Sequence, residues 1–201
     1  MKFEYSTIKL PVEDILLREK GSKFIGFAYP LQQEGDAKKY LTQLWELHPK
    51  ATHICYAYRV GLQGEIHRAN DDGEPSGSAG LPIYNQLLAH EVTNVLVAVV
   101  RYYGGTKLGV SGLVKTYKES AKMTLESAEI ITKELEGKLK IIFDYHQQNT
   151  IFTFLNKNEA QILEFNTEEK CSIVTSFKMI KKESISEKLS EMQNIEFQFL
   201  D

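Results

Sequence analysis

The run from Arg101 to Lys115 reads R-Y-Y-G-G-T-K-L-G-V-S-G-L-V-K, with Gly104, Gly105, Gly109 and Gly112 falling within nine residues. Glycine has no Cβ, so such a loop lets backbone N–H groups approach a ligand and lets the chain enter left-handed φ/ψ regions. Ser111 is a good N-cap for the amphipathic stretch that follows. A helix starting there would turn unpaired N–H groups and its positive dipole end into the same space. Arg101, Lys107 and Lys115 add formal positive charge, and Arg68 stands upstream. The candidate anion- or nucleic-acid-binding residues are therefore Arg68, Arg101, Gly104, Gly105, Lys107, Ser111 and Lys115. A tight strand-to-helix turn without a ligand fits the same glycines. Neither G-x-x-x-x-G-K-[ST] nor G-x-G-x-x-G is present, which excludes the ATPase-type and dinucleotide-type phosphate loops.

A second segment, H-R-A-N-D-D-G-E-P-S-G-S-A-G-L-P from His67 to Pro82, gathers Asp71, Asp72 and Glu74 with Ser76 and Ser78 around Gly73, Gly77 and Gly80. That composition predicts an exposed turn rather than a helix or strand interior. Three chemistries fit it. The carboxylates could hold a hard divalent cation, or one could act as a base beside a serine nucleophile. The third reading is a solvated recognition loop that leads into a helix with Pro82 at its first position. S-G-S-A-G is not a nucleophile elbow, because Ser76 stands where the first glycine belongs. Asp71, Asp72 and Glu74 are catalytic candidates only if the chain is an enzyme. No catalytic residue, metal site or cofactor is assigned from the pattern. The two loops flank the helix and strand that join them, which favours a shared face.

The elements that must position these loops follow from hydrophobic period. Ile15 to Arg18 and Phe24 to Tyr29 read as strands joined by E-K-G-S, and Asp36 to Leu47 as a helix with Tyr40, Leu41, Leu44 and Leu47 on one face. Trp45 is expected to anchor packing nearby. Ala51 to Val60 and Glu65 to Ala69 form a hairpin, Pro82 to His90 a short helix, and Asn94 to Tyr103 a strand buried on both faces. Ser111 to Ala128 places Leu113, Val114, Tyr117, Ala121, Leu125 and Ala128 along one helical stripe. The economical packing puts the sheet on one side and the helices on the other. In the tail, Lys138 to Tyr145, Ala160 to Asn166, Lys170 to Ile180 and Ile195 to Leu200 read as strands, with helices at His146 to Asn156 and Ile185 to Met192. The order is βαββαβ, the ferredoxin-like split motif.

Length bounds the chain at one or two domains. Nothing approaches the ~18 consecutive apolar residues of a membrane helix, and M-K-F-E-Y-S-T lacks the form of a signal peptide. No membrane association and a cytoplasmic location are expected. Two cysteines, Cys55 in an apolar strand and Cys171 at the start of another, make no disulfide framework, and five scattered histidines make no zinc spacing. His53 and His67 flank the hairpin and are expected to be structural. Residues 1–128 carry 15 Lys+Arg against 14 Asp+Glu, and residues 129–201 carry 9 against 13. Any nucleic-acid contact must therefore use a local patch rather than a global field.

The stretches A-T-H-I-C-Y-A-Y-R (Ala51 to Arg59), D-D-G-E-P-S-G-S-A-G-L-P-I (Asp71 to Ile83) and V-V-R-Y-Y-G-G-T-K-L-G-V-S-G-L-V (Val99 to Val114), with K-G-S-K-F-I-G (Lys20 to Gly26), closely resemble the YigZ/IMPACT family in order and spacing. The resemblance implies an α+β protein of two domains. Residues 1–132 would be the IMPACT-like N-terminal domain, a βαβ sandwich with left-handed crossover shared with a ribosomal protein's second domain and the GHMP kinases. Residues 133–201 would be a bacterial-type ferredoxin-like domain resembling domain V of elongation factor G. Pro75 to Leu81 faintly echoes the GHMP phosphate loop, but Ile83 and Tyr84 replace its serine pair. The function expected is an RNA- or ribosome-associated regulator of translation or stress response, its partner RNA, the ribosome or a translation factor. The alternative is an enzyme acting on a phosphorylated small molecule or peptide through the Asp71–Glu74 and Gly104–Gly112 loops, with Lys107 beside the carboxylates.

Overall fold

The computed structural model describes residues 3–200, which divide into two compact units, 4–133 and 134–200, with Phe3 grouped with the second. In the first unit the strands are β1 (Glu4–Ile8), β2 (Val12–Glu19), β3 (Ser22–Pro30), β4 (His53–Val60), β5 (Ile66–Asn70), β6 (Val95–Tyr102) and β7 (Ile130–Glu134), whose last residue, Glu134, belongs to the second unit. The helices are α1 (Glu34–Leu47), α2 (Gly80–Ala89) and α3 (Gly109–Glu126). Five strands form one sheet in the order β2-β3-β6-β4-β5, each neighbour antiparallel, while β1 and β7 form a separate pair.

The apolar run in β6 explains its place at the centre of that sheet. All residues from Val95 to Arg101 are buried, and the two-residue period of a strand sends alternate side chains to opposite faces. Val95, Val97 and Val99 join a core with Ile83 and Leu87 of α2 and Leu113, Tyr117, Ala121 and Leu125 of α3. Leu96, Ala98 and Val100 join another with Ala37 and Leu44 of α1. The sheet therefore has helices on both faces, which corrects the one-sided packing expected from the sequence. An antiparallel sheet can leave one face wet, but the Ala37, Leu44 and half-buried Tyr40 stripe of α1 needed a face of its own to cover.

Element starts also move. Helix α2 begins at Gly80, so Pro82 is its third residue rather than its first. Helix α3 begins at Gly109, with Leu108 at the N-cap, so Ser111 lies inside the first turn instead of capping it. Val114 is 36% exposed and Leu47 is 65% exposed, so neither belongs to its expected buried stripe. Strands β1 and β7, five residues each, are additions to the elements expected from the sequence.

The second unit runs β8 (Glu136–Phe143), α4 (Gln148–Lys157), β9 (Gln161–Thr167), β10 (Cys171–Lys178), α5 (Lys182–Ser190) and β11 (Ile195–Leu200), in the β-α-β-β-α-β order that its hydrophobic pattern predicts. Its antiparallel sheet has the order β11-β8-β10-β9. Leu139, Ile141, Phe143, Ile173 and Phe177 face Ile151, Leu155, Ile185 and Leu189 of the two helices. Lys178 lies 2.9 Å from Glu134 and 3.2 Å from Glu159, and these carboxylates raise its pKa; Glu159, bonded to Lys181 and Lys178, is held below the usual carboxylate range.

Candidate functional site

Strands β5 and β6 both pair antiparallel with β4, so they run parallel and end at one end of the sheet. The 71–79 and 103–108 loops leave from that end, where β3 and β4 also start, and α2 and α3 both begin from it. The Lys20–Gly21 turn joins them. Gly21 has φ +80°, and a Cβ at Gly104 would overlap the Gly21 backbone, so these two glycines let two turns touch. The Gly104 N–H donates to Ser22 Oγ at 3.0 Å. Gly105 (φ +87°) faces open space, and Thr106 and Lys107 are exposed.

The acidic loop is built inward. Asp71 Oδ2 accepts from the Gly77 N–H at 2.8 Å, and Oδ1 accepts from the Ala79 and Gly80 N–H groups at 2.9 and 2.8 Å. A carboxylate supplied nine residues upstream thus satisfies the orphan donors and the positive dipole end of α2. Gly80 is required because a Cβ there would meet Asn70 N at 2.5 Å. Asp72, held at φ +46°, accepts the Ile54 N–H at 2.7 Å through Oδ2, while its carbonyl oxygen lies 2.6 Å from His53 Nδ1.

Glu74 is buried. It forms an ion pair with Arg101 Nη1 and accepts from the Tyr117 hydroxyl at 2.8 Å, with His53 Nε2 at 4.0 Å. The Cys55 thiol lies 3.0 Å from the Asp71 carbonyl oxygen and 3.3 Å from the Tyr117 hydroxyl. The Arg101 guanidinium stands 5.3 Å over the Phe24 ring, which meets Tyr117 edge-on at 5.1 Å. Burial, aided by the neighbouring carboxylates, pushes the Cys55 thiol and the Tyr117 phenol well above their ordinary values, so both stay protonated. A protonated, fully buried thiol is not a nucleophile.

The structure therefore sorts the candidate residues into three places. Arg101 is 6% exposed and its charge is directed at Glu74, away from solvent. Lys107, Ser111 and Lys115 are exposed at or beyond the start of α3, whose first turn has no side-chain cap. Arg68 is on β5 opposite Tyr58, on the α1 face, apart from Lys115 on the α3 face. His67 stacks on Tyr84 at 5.2 Å. Sequence reasoning missed Tyr117 and Cys55 as partners of the loop, because both read as ordinary members of an apolar pattern. Among the described residues, no group of three or more His, Cys, Asp or Glu side chains converges as a metal-holding set.

Residues 20–125 match the Impact N-terminal domain. The chain belongs to the IMPACT family. It is 30% identical over 194 residues to the IMPACT family member YvyE of Bacillus subtilis, covering 96% of this chain and 89% of that protein. The IMPACT family member YigZ of Escherichia coli is 29% identical over 183 residues, covering 90% of each. A crystal structure of a hypothetical protein superposes with a TM-score of 0.72 at 27% identity, covering 100% of this chain and 98% of that one. The family match spans both loops of the sheet end, and among the described residues no helix is long and apolar enough to cross a membrane.

Proposed function

We propose that this IMPACT-family chain binds RNA of the translation apparatus through the loop end of its first unit, and in that way regulates translation or the stress response in the cytoplasm. The observation that carries this reading is a division of charge. All three carboxylates of the 71–79 loop have partners inside the unit, whereas Lys107 is exposed just before the uncapped start of α3, Lys115 is exposed on its second turn, and Lys20 is exposed in the turn that touches Gly104. Phosphate contacts need such cations and free N–H groups. The fold kinships that the family resemblance implies support the reading by analogy. A left-handed-crossover sandwich over residues 1–132 and a ferredoxin-like domain over 133–201 both occur in translation proteins. The engaged carboxylates speak against the alternative, an enzyme using Asp71, Asp72 or Glu74 as base or metal ligand, since each would have to leave a structural bond to act.

A salt titration of binding to single-stranded RNA tests it. Lys107→Ala with Lys115→Ala should weaken binding uniformly across sequences and lower the slope of log K against log salt by about one for each lysine lost. Binding and slope equal to those of the parent would reject the reading.

A further inference from the structure

Helix α1 does not close completely on its face of the sheet. Between it and strands β4 and β5 lies a groove of about 440 Å³, lined by Lys38 and Trp45 of the helix and by Tyr56, Tyr58 and Arg68 of the strands, with Glu34 at the helix start. That size falls within the range of small-ligand sites. Trp45, the one tryptophan in the chain, is 41% exposed, so it does not anchor the core as its place in the helical pattern suggests. The half-buried Tyr56 ring lies nearly parallel to Tyr58, at 6° and 6.4 Å.

Charge decides what such a groove can hold. Glu34 is its single carboxylate, and Glu34 already accepts from the Tyr58 hydroxyl. Burial and that bond push the Tyr58 phenol up to about 12, which keeps it a donor to Glu34. Arg68 and Lys38 are exposed, and among the described residues neither has an ion-pair partner. Aromatic faces with free cations beside them suit a nucleobase and its phosphate. An apolar peptide would leave both cations uncompensated.

Position joins the groove to the loop end. Tyr56 pairs with Asn70, the last residue of β5 and the one before the acidic loop. Trp45 is in the last turn of α1, and His48 just beyond it lies 3.0 Å from the hydroxyl of Tyr102, the last residue of β6.

We infer that this groove is a base-stacking site for single-stranded RNA, with Trp45 and Tyr56 receiving an unstacked base and Arg68 and Lys38 its phosphate. The inference rests on the RNA reading above and extends it to a second surface. Trp45 reports on it directly. An oligoadenylate of about eight nucleotides, a length within the site sizes of single-strand binding modules, is titrated at low salt while tryptophan fluorescence is followed. The single strand should quench Trp45 saturably, and a duplex of the same length should not. Tyr56→Ala and Arg68→Ala should each weaken binding about 10-fold, the size of losing one stacking or cation contact. Arg68 is exposed, so its variant reads binding without a folding cost. Lys107→Ala with Lys115→Ala should lower the salt slope and leave the quench at saturation unchanged.

Binding at parental affinity without quenching, indifferent to Arg68→Ala, would overturn the groove while leaving the phosphate-binding loops standing. Equal quenching by the duplex would also overturn it. Failure of the oligonucleotide to bind the parent at low salt would overturn both readings together.

Discussion

In the 71–79 loop each acidic side chain has a partner inside the unit: backbone N–H groups for Asp71 and Asp72, and Arg101 with Tyr117 for Glu74. In the 103–108 loop, which leaves the same end of the sheet, Gly104 is tied to the Gly21 turn while Thr106 and Lys107 face solvent. Both segments have the glycines and charges of a functional loop. A short, glycine-rich loop leaves many backbone donors unpaired, and a nearby carboxylate is the cheapest way to satisfy them when no ligand does so. The acidic loop carries its own anion. The glycine loop, with cations and an uncapped helix start, has none, and this asymmetry is why binding is proposed for the second.

The two loops differ most at Glu74 and Arg101. Arg101→Ala leaves Glu74 buried beside one hydroxyl, and Glu74→Ala strands the guanidinium. Either should lower unfolding free energy by about 3–5 kcal/mol in urea titrations. A loss below 1 kcal/mol would mean that the pair is solvated and that the acidic loop is open after all.

Asp71→Ala removes the acceptor for the Gly77 N–H in the loop and for the Ala79 and Gly80 N–H groups at the start of α2. About 2 kcal/mol of stability should go with it, at the upper end of an N-cap loss. Hydrogen exchange should speed up in the first turn of α2 before the sheet is affected.

Base should find the same cluster. Cys55 and Tyr117 have ordinary values of 9.0 and 10.0, and burial raises both on folding. The folded state therefore holds protons that the unfolded chain releases, so stability is full below about pH 9 and falls as pH rises above it. Urea midpoints measured across that range should decline, and less steeply in Cys55→Ala. A flat profile would remove the buried-thiol assignment.

The smallest effect on stability belongs to the other loop. Lys107→Ala with Lys115→Ala should leave unfolding free energy within about 0.5 kcal/mol, as for surface residues without structural partners. Together with the change in RNA salt slope, this would separate a binding loop from a folding loop.

Much of the scaffold was legible before any coordinates. A continuous apolar run marks β6, and hydrophobic periods mark α3 and most of the second unit, because each is a local property of the chain; β9 is exposed along its whole length. Helix starts were misplaced because their caps are not local: Asp71 reaches forward nine residues to Gly80, and α3 starts without a side-chain cap. Of the candidate site, Lys107 and Lys115 stand exposed where a charge in a loop is expected to stand. The same expectation makes Arg101 a surface cation, but the end of β6 carries it under the acidic loop.

Residue types and spacing by themselves determined the family, the mixed helix-and-strand character of the chain, and which two loops have an unusual composition. These are properties of short windows, where local backbone preference and hydrophobic period act. Only the tertiary structure decided where each charge points. Pairing of β4 with β6 sets His53 opposite Arg101, and the turn at Asp72 then folds Glu74 down onto that arginine. Arg68, three residues before Asp71, goes instead to the α1 face, because successive side chains on a strand point to opposite sides and α1 covers only one of them.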